Sequence, residues 1–419
     1  MRRKQTARCL ILQTCSPAAP WSTRRCEPPR SLSLASAACA TQRTRNRTAR
    51  MATTVKTTGT RRIRAEANSP VSPQQRLRVW TRRLTIVNTV MVLAVLFLLC
   101  VVSEEWWISA ALGYLPRAPY LIPSLFLIPL CLVCQRSFTW ANVLCTIVVL
   151  GPVMGLCAPL ERDPPPDNDS RVLTVVSCNA QNGASDLHRA LREIEALHPD
   201  VVALQETKWG IDMLDEFFVD WESIHVGEYW VGSRFPLRLV GELNPEAFER
   251  SSGLMVEVEA PQGTFLLANV HLNTARHGLS ELQWHSPLTG AGVDDFEWHQ
   301  WRRQLEAEET VALLASRATR PQLLLGDFNA PTTSSLFAGV WNGYRSAFDT
   351  TAVGYGYTAP CNTSRFWPSN TPWLRIDHIL CDSTWNVHAC GIGESDGSDH
   401  RLIWAQVSLK AEPADRTAQ

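Results

Sequence analysis

Acidic residues are almost missing from the first hundred positions of this 419-residue chain. Two Asp and Glu stand there against 19 Lys and Arg, so the stretch carries 19 − 2 = +17. From 171 to 410 the shortage has the other sign: 17 basic residues against 30 acidic, or −13. A formal net charge of zero hides this split. A C-terminal part so poor in cations is badly suited to polymeric nucleic acid, whose binding draws on Lys and Arg contacts to phosphates, although a local basic groove can sit inside an acidic total. Paired Cys-x-x-Cys motifs are missing too, as is a nucleotide-binding glycine loop. The 13 cysteines therefore say little. Many lie in the N-terminal region or in apolar runs, and Cys178 falls in a buried-strand pattern. Cys361, Cys381 and Cys390 allow one disulfide in an exported domain, with no spacing that fixes the pairing.

Residues 1–83 are rich in Arg, Thr, Ser, Ala and Pro and lack a sustained apolar period, which predicts a disordered basic N-terminus. Met51 opens a second plausible start, so 1–50 reads either as a mis-called start or as an Arg- and Ser-rich transit peptide. Three apolar runs fill 84–160. Residues 84–102 carry no charge and are long enough for a hydrocarbon core of ~30 Å. Residues 118–134 hold Pro119, Pro123 and Pro129, which a spanning helix tolerates when neighbours satisfy the freed carbonyls; a re-entrant or interfacial segment is the alternative. Residues 138–160 make the third. Trp106, Trp107, Tyr120 and Trp140 fall where aromatic belts form. Arg76, Arg78, Arg82 and Arg83 precede the first run, Glu104 and Glu105 follow it, and Arg136 separates the second from the third. Three spans then put the N-terminus in the cytoplasm and everything past 160 outside, whereas two spans would leave the C-terminal part in the cytoplasm. The linker 161–170 (ERDPPPDNDS) reads as an extended tether of roughly 30 Å, and 411–419 as a tail.

Between 171 and 410 the length suits one domain. Short apolar runs bounded by turn residues predict strands over 172–178, 201–204, 254–259, 264–270, 322–325, 376–381 and 402–407. Helical periods cover 185–197, with Ser185 as its cap, and 297–318. Strands that outnumber helices predict an α+β sandwich with helices outside.

The stretch 322–331, QLLLGDFNAP, organises the rest. Three leucines read as a buried strand that stops at Gly326, with Asp327 and Asn329 beyond its end and Phe328 packed inward. A carboxylate and an amide placed so can share one phosphate, Asp327 taking a proton from water and Asn329 donating to an anionic oxygen. Gly-Asp-x-Asn is equally ordinary turn chemistry. The chain repeats the arrangement, however. Asn179, Glu206, His271, the pair Asp377 and His378, and the pair Asp399 and His400 all border apolar strand patterns. Taken singly each is a satisfied turn residue; five more sites beside GDFN are hard to attribute to turns.

In this order SCNAQN (177–182), ALQET (203–207), GSRFPL (232–237), ANVHL (268–272), GDFNAP (326–331), RIDHIL (375–380) and GSDHRLI (397–403) resemble the endonuclease/exonuclease/phosphatase superfamily of metal-dependent phosphoesterases. The resemblance implies a four-layered α/β sandwich, two packed mixed sheets flanked by helices, with the site at one edge. With three spans ahead, the chain looks most like bacterial membrane-anchored members related to the teicoplanin-resistance protein, in the cytoplasmic membrane with an extracytoplasmic domain. It also implies roles. Glu206 is the principal ligand of Mg²⁺ or Mn²⁺, with Asn179 and Asp399 close by, since hard oxygen donors suit these ions. Asp327 deprotonates the attacking water. Asn329, His271 and His400 surround the phosphoryl oxygens, and Asp377 fixes the tautomer of His400. For His378 and Arg276 a packing or rim role is as good a reading. The segment 276–301 matches nothing in the family pattern and is read as shaping the substrate entrance. The superfamily's substrates range over nucleic acids, lipids and inositol phosphates. The charge of −13 and the nearby bilayer favour a membrane lipid or polyprenyl phosphate, with an extracytoplasmic nuclease as the alternative and a non-catalytic binding module as a further one. Oligomeric state leaves no trace in the sequence.

Overall fold

A computed structural model describes residues 72–166, 171–181, 186–243, 250–361, 368, 370–394 and 397–410, all within the compact unit Ser69–Gln419. The readings made for 1–71, for Ser185 as a cap and for the tail 411–419 fall outside these residues.

Helix α1 (Pro73–Phe97) begins well before the first apolar run, which corrects the expected disorder through 83. Ser72 accepts from the Gln75 N–H while the Gln75 side chain accepts from the Ser72 N–H, and Pro73 needs no partner at the first helical position. The run continues through a π turn, Leu98–Val102, to Glu105. Helix α2 (Trp107–Gly113), α3 (Ile122–Cys134) and α4 (Thr139–Val148) follow. Pro73–Glu105 and Arg136–Val153 are long and apolar enough to cross a membrane; Trp107–Gly113 and Ala118–Cys134, bent by 92°, make a third if they count as one span. The packing is inside-out. Val90, Phe97, Phe126, Val133 and Ile147 are exposed, while Asn88, Ser124 and Asn142 are buried and bonded to one another across three helices. Interhelical amide and hydroxyl bonds suit helices whose surroundings are as apolar as their side chains.

The remaining chain runs β1 (Leu173–Asn179), α5 (Leu187–Ala196), β2 (Val201–Gln205), α6 (Ile211–Phe217), β3 (Glu222–Val226), β4 (Tyr229–Ser233), β5 (Leu237–Leu243), β6 (Gly253–Ala260) and β7 (Gly263–His271). It continues through α7 (Arg276–Glu281), α8 (Ser286–Thr289), α9 (Val293–Ala315), β8 (Gln322–Asp327), α10 (Ser335–Ala338), β9 (Arg345–Ser346), α11 (Ala347–Thr351), β10 (Asp377–Cys381), β11 (Trp385–Ile392) and β12 (Ile403–Leu409). Two six-stranded mixed sheets result, ordered β11-β12-β1-β2-β4-β3 and β5-β6-β7-β8-β10-β9. β1 pairs parallel with β2 and β7 parallel with β8; the other pairs are antiparallel.

Period-two alternation builds the layers. Val175, Val201, Leu267, Leu323, Leu325 and Val407 point between the sheets. Val176, Val202 and Leu204 turn outward onto Leu191, Ile194 and Leu214 of α5 and α6. Leu266, Ala268 and Leu324 turn outward onto Ala307 and Leu314 of α9. The leucine run of β8 is therefore continuous because both of its faces are covered.

The described residues just before and within the linker are tied to the domain. Cys157 pairs with Gly354 through two backbone bonds, and Asp163 meets Arg345 at 3.0 and 3.0 Å while accepting from the Val387 N–H. The chain leaving the last span is laid along the domain.

Candidate active site

Strand ends and register deliver the polar residues to one edge of the sandwich. Asn179 lies opposite Gln205 at the ends of the parallel pair β1 and β2, with Glu206 one step beyond. His271 lies opposite Asp327 at the ends of β7 and β8, and Asp377 opens β10 directly across from Asp327. Asp399 and His400 come just before β12. Glu206 holds φ +54°, rare for a residue with a Cβ, and this turns the chain at the strand end.

Asp327 is the hub. Its Oδ2 accepts from Asn179 Nδ2 and from Asn329 Nδ2, each at 3.2 Å, and its Oδ1 accepts from the Asn329 N–H at 2.9 Å. His271 Nε2 stands 3.7 Å and His400 Nε2 3.8 Å from Oδ2. Glu206 Oε1 accepts from Asn179 Nδ2 at 3.0 Å and lies 3.6 Å from His271 Nε2. Behind His400, Asp377 Oδ2 sits 2.9 Å from Nδ1. Burial alone would lower the His400 pKa; the charges of Asp377 and Asp327 outweigh it and hold the imidazole well above its ordinary value. Both carboxylates thus favour the protonated imidazole, whose Nε2 faces Asp327.

Two groups that sequence reasoning missed complete the edge. Glu228 Oε1 lies 2.9 Å from His271 Nδ1 and 2.6 Å from Arg250 Nη2. Burial would push the Glu228 carboxyl up, but the hydrogen bond from His271 and the charges of His271 and Arg250 hold it down at about 2. Gln205 and Asn269 bond to each other at 2.6 Å between the sheets, beneath the site. Gln205 and Asn269 lie within ALQET and ANVHL, but neither Glu228 nor Arg250 stands in a run that sets it apart; only the turn ahead of β4 brings Glu228 behind His271.

Both hydrogens of the Asn329 amide are engaged, one by the Leu272 carbonyl at 2.9 Å and one by Asp327. In this arrangement the amide faces the Asp327 carboxylate and the Leu272 carbonyl. His378 is buried against Phe328 and Phe337 with Nε2 3.3 Å from the Ala330 carbonyl, and burial lowers its pKa to about 3, which is a packing role. Arg276 lies at the exposed rim, 3.2 Å from Asp399.

A divalent cation fits the donor set. Glu206, Glu228, Asp327, Asp377 and Asp399 face Lys208, Arg250 and Arg276, so 5 − 3 leaves two negative charges in excess before the histidines are counted. Asp377 Oδ1 is also buried without a hydrogen-bond partner. Of the three expected ligands, Glu206 is the most open, its side chain 26% exposed. Asn179 turns its nitrogen toward Glu206 while its oxygen accepts from the Gln181 N–H, and Asp399 is engaged by Arg276. Asp327, Asp377 and His400 bring ligand atoms within 4.8 Å of one another. In that group His400 Nδ1 is already taken by Asp377 at 2.9 Å, and Nε2 stands 3.8 Å from Asp327. A cavity of about 790 Å³ lies elsewhere, between Cys100, Val101 and Leu156 of the helical region and 332–335 of the domain. We assign the chemistry to the carboxylate edge because the functional groups converge there.

Compared with known proteins, the chain matches the Endonuclease/Exonuclease/phosphatase family over residues 176–400. No curated protein matches it. Among solved structures it is similar to the endonuclease/exonuclease/phosphatase from Beutenbergia cavernae DSM 12333, at 19% identity over 58% of this chain and 73% of that one, with a TM-score of 0.38. A 3′ phosphatase from Neisseria gives 16% identity over 56% and 98%, with a TM-score of 0.40. An AP endonuclease from Archaeoglobus fulgidus gives 14% over 56% and 98%, with a TM-score of 0.42.

Proposed function

The chain belongs to the Endonuclease/Exonuclease/phosphatase family, whose members hydrolyse phosphoester bonds, and on that premise we propose a membrane-anchored, divalent-cation-dependent phosphoesterase for a lipid-borne phosphate ester or pyrophosphate. The observation that carries the lipid reading is the distance from anchor to chemistry. Tyr114, directly after α2, donates to the Asn329 carbonyl at 3.1 Å, and Asn329 donates twice to Asp327. The carboxylate edge therefore lies beside the helices, where a phosphate held in a bilayer would be presented. The charge of −13 over 171–410 argues the same way against a polyanion.

Each residue has a step that its contacts support. Asp327, held by Asn179 and Asn329, takes a proton from water as the water attacks phosphorus. His400, kept protonated by Asp377, donates Nε2–H to a phosphoryl oxygen as charge grows there. His271, oriented by Glu228, faces the same space. Glu206, with Asn179 and Asp399, would hold Mg²⁺ or Mn²⁺, which offsets charge on the phosphate and the departing oxygen. As in bacterial membrane-anchored proteins related to teicoplanin resistance, the domain would work outside the cytoplasm.

The test uses the full-length protein in detergent with Mg²⁺, given a polyprenyl pyrophosphate, a phospholipid and plasmid DNA in parallel. We expect phosphate or headgroup release from a lipid, reduced about 10²–10⁴-fold by Asp327→Ala, the range for removing a general base. Nicking of DNA with no lipid turnover would replace this reading by a tethered nuclease.

A further inference from the structure

The turn between the first two helical runs does more than connect them. Together with the end of the first run, its residues grip the loop that follows Asp327 at four points. Tyr114, 8% exposed, donates its hydroxyl to the Asn329 carbonyl at 3.1 Å. The buried Arg117 donates to Thr333 Oγ1 at 2.9 Å, to the Gly113 carbonyl at 2.8 Å and to the Val153 carbonyl at 3.0 Å. Glu104 accepts from Ser334 Oγ at 2.6 Å and from the Ser335 N–H at 2.7 Å, and Ser103 donates to the Thr333 carbonyl. Tyr114 is itself fixed from the domain side. Trp373 Nε1 donates to its carbonyl at 2.9 Å, and the Arg303 guanidinium stands 5.6 Å above its ring.

What the hydroxyl holds matters. Asn329 has φ +48°, a left-handed conformation that a residue with a Cβ adopts at some cost. In that conformation its N–H and its amide reach the two oxygens of Asp327. A hydrogen bond on the Asn329 carbonyl therefore favours the one backbone shape that aims the carboxylate.

We infer that Tyr114 is a positioning residue for Asp327, acting through Asn329, so that the membrane anchor is part of the framework of the active site and not only a tether. The inference rests on the reading of Asp327 as the base.

Wild type and five variants of the full-length protein in one detergent decide it: Tyr114→Phe, Asn329→Gly, the double variant, Asp327→Ala and Asp163→Asn. Tyr114→Phe keeps the ring and its packing while losing the donor. We expect kcat to fall roughly tenfold with KM and melting temperature nearly unchanged, as for one lost hydrogen bond that misaims a catalytic group. On the Asn329→Gly background the side-chain amide is gone and glycine adopts the left-handed shape freely, so Tyr114→Phe should lower kcat less than it does in wild type. Asp163→Asn, which loosens the linker far from the loop, should leave kcat at the wild-type value. Wild-type kcat in Tyr114→Phe with an inactive Asp327→Ala would overturn the positioning role and leave the hydrolytic reading standing. An active Asp327→Ala would overturn both. Additive losses in the double variant would overturn transmission through Asn329.

Discussion

Glu228 reaches no substrate-facing space of its own, yet it meets His271 Nδ1 at 2.9 Å and Arg250 Nη2 at 2.6 Å. Glu228→Gln should therefore lower turnover by about 10–100-fold, the range found when a carboxylate behind a functional imidazole is removed. Its stability should change with pH as well. The carboxyl falls from 4.5 to about 2 on folding, so its contribution is fully present above about 4.5 and is lost as pH drops from there toward about 2. Thermal melts of wild type should show a steep acid loss in that window, and Glu228→Gln a flatter one from a lower starting point. A variant melting like wild type at pH 7 would contradict the pairing. Sequence reasoning found the residues on strand ends, because a polar residue after an apolar run is visible in one dimension. It did not find Glu228, Arg250 or Tyr114. These act through partners 43, 21 and 215 positions away, and nothing local distinguishes them.

The elements show the same limit from another side. Strands β1, β2, β6, β7, β8, β10 and β12 were legible from their apolar runs. β4 escaped because its YWVGS carries Gly232 and Ser233, and Trp230 folds over Gly232, where a Cβ would meet the indole at 2.1 Å. β3, β5 and β11 lie toward the sheet edges with partly exposed residues, where alternation is weak. Helix α9 starts at Val293, four residues before the expected 297, since Gly292 in the left-handed region sets its N-terminus. Strand β8 offers the sharpest test of how the fold places the site. Gly326 holds φ +148°, and a Cβ there would lie 1.8 Å from the Val270 carbonyl oxygen. The parallel pair β7 and β8, which sets His271 beside Asp327, needs that close approach. Gly326→Ala should destabilise the domain by about 3 kcal/mol or more, because backbone must move and no side chain can yield instead. Denaturant unfolding measures this; a loss below about 1 kcal/mol would mean that the strand relaxes freely.

At the scale of the whole molecule the question is how many times the chain crosses the membrane. Composition left two or three spans open, because the run 118–134 is short and proline-rich. Arg117 bears on the choice. Its guanidinium bonds the Gly113 carbonyl, at the end of α2, and the Val153 carbonyl, at the end of the last apolar helix. Both carbonyls therefore lie within reach of one guanidinium, and we propose that they lie on one side of the membrane. If 118–134 stayed on that side as a re-entrant segment, Arg136–Val153 would carry Val153 across the hydrocarbon, ~27 Å away at 1.5 Å per residue, and the Arg117 bonds would be impossible. Three crossings, which require the bent pair Trp107–Gly113 and Ala118–Cys134 to act as one span, would satisfy them. Arg76, Arg78, Arg82 and Arg83 at the start of α1 then favour a cytoplasmic N-terminus and an external domain. Single cysteines introduced at Gln74 and at the exposed Glu216, in a background whose native cysteines are replaced, should label from opposite sides in intact cells. The Glu216 site should react with an impermeant maleimide and the Gln74 site only after lysis. Labelling of both from the same side would break the three-crossing arrangement, and with it the placement of the carboxylate edge at the outer membrane surface.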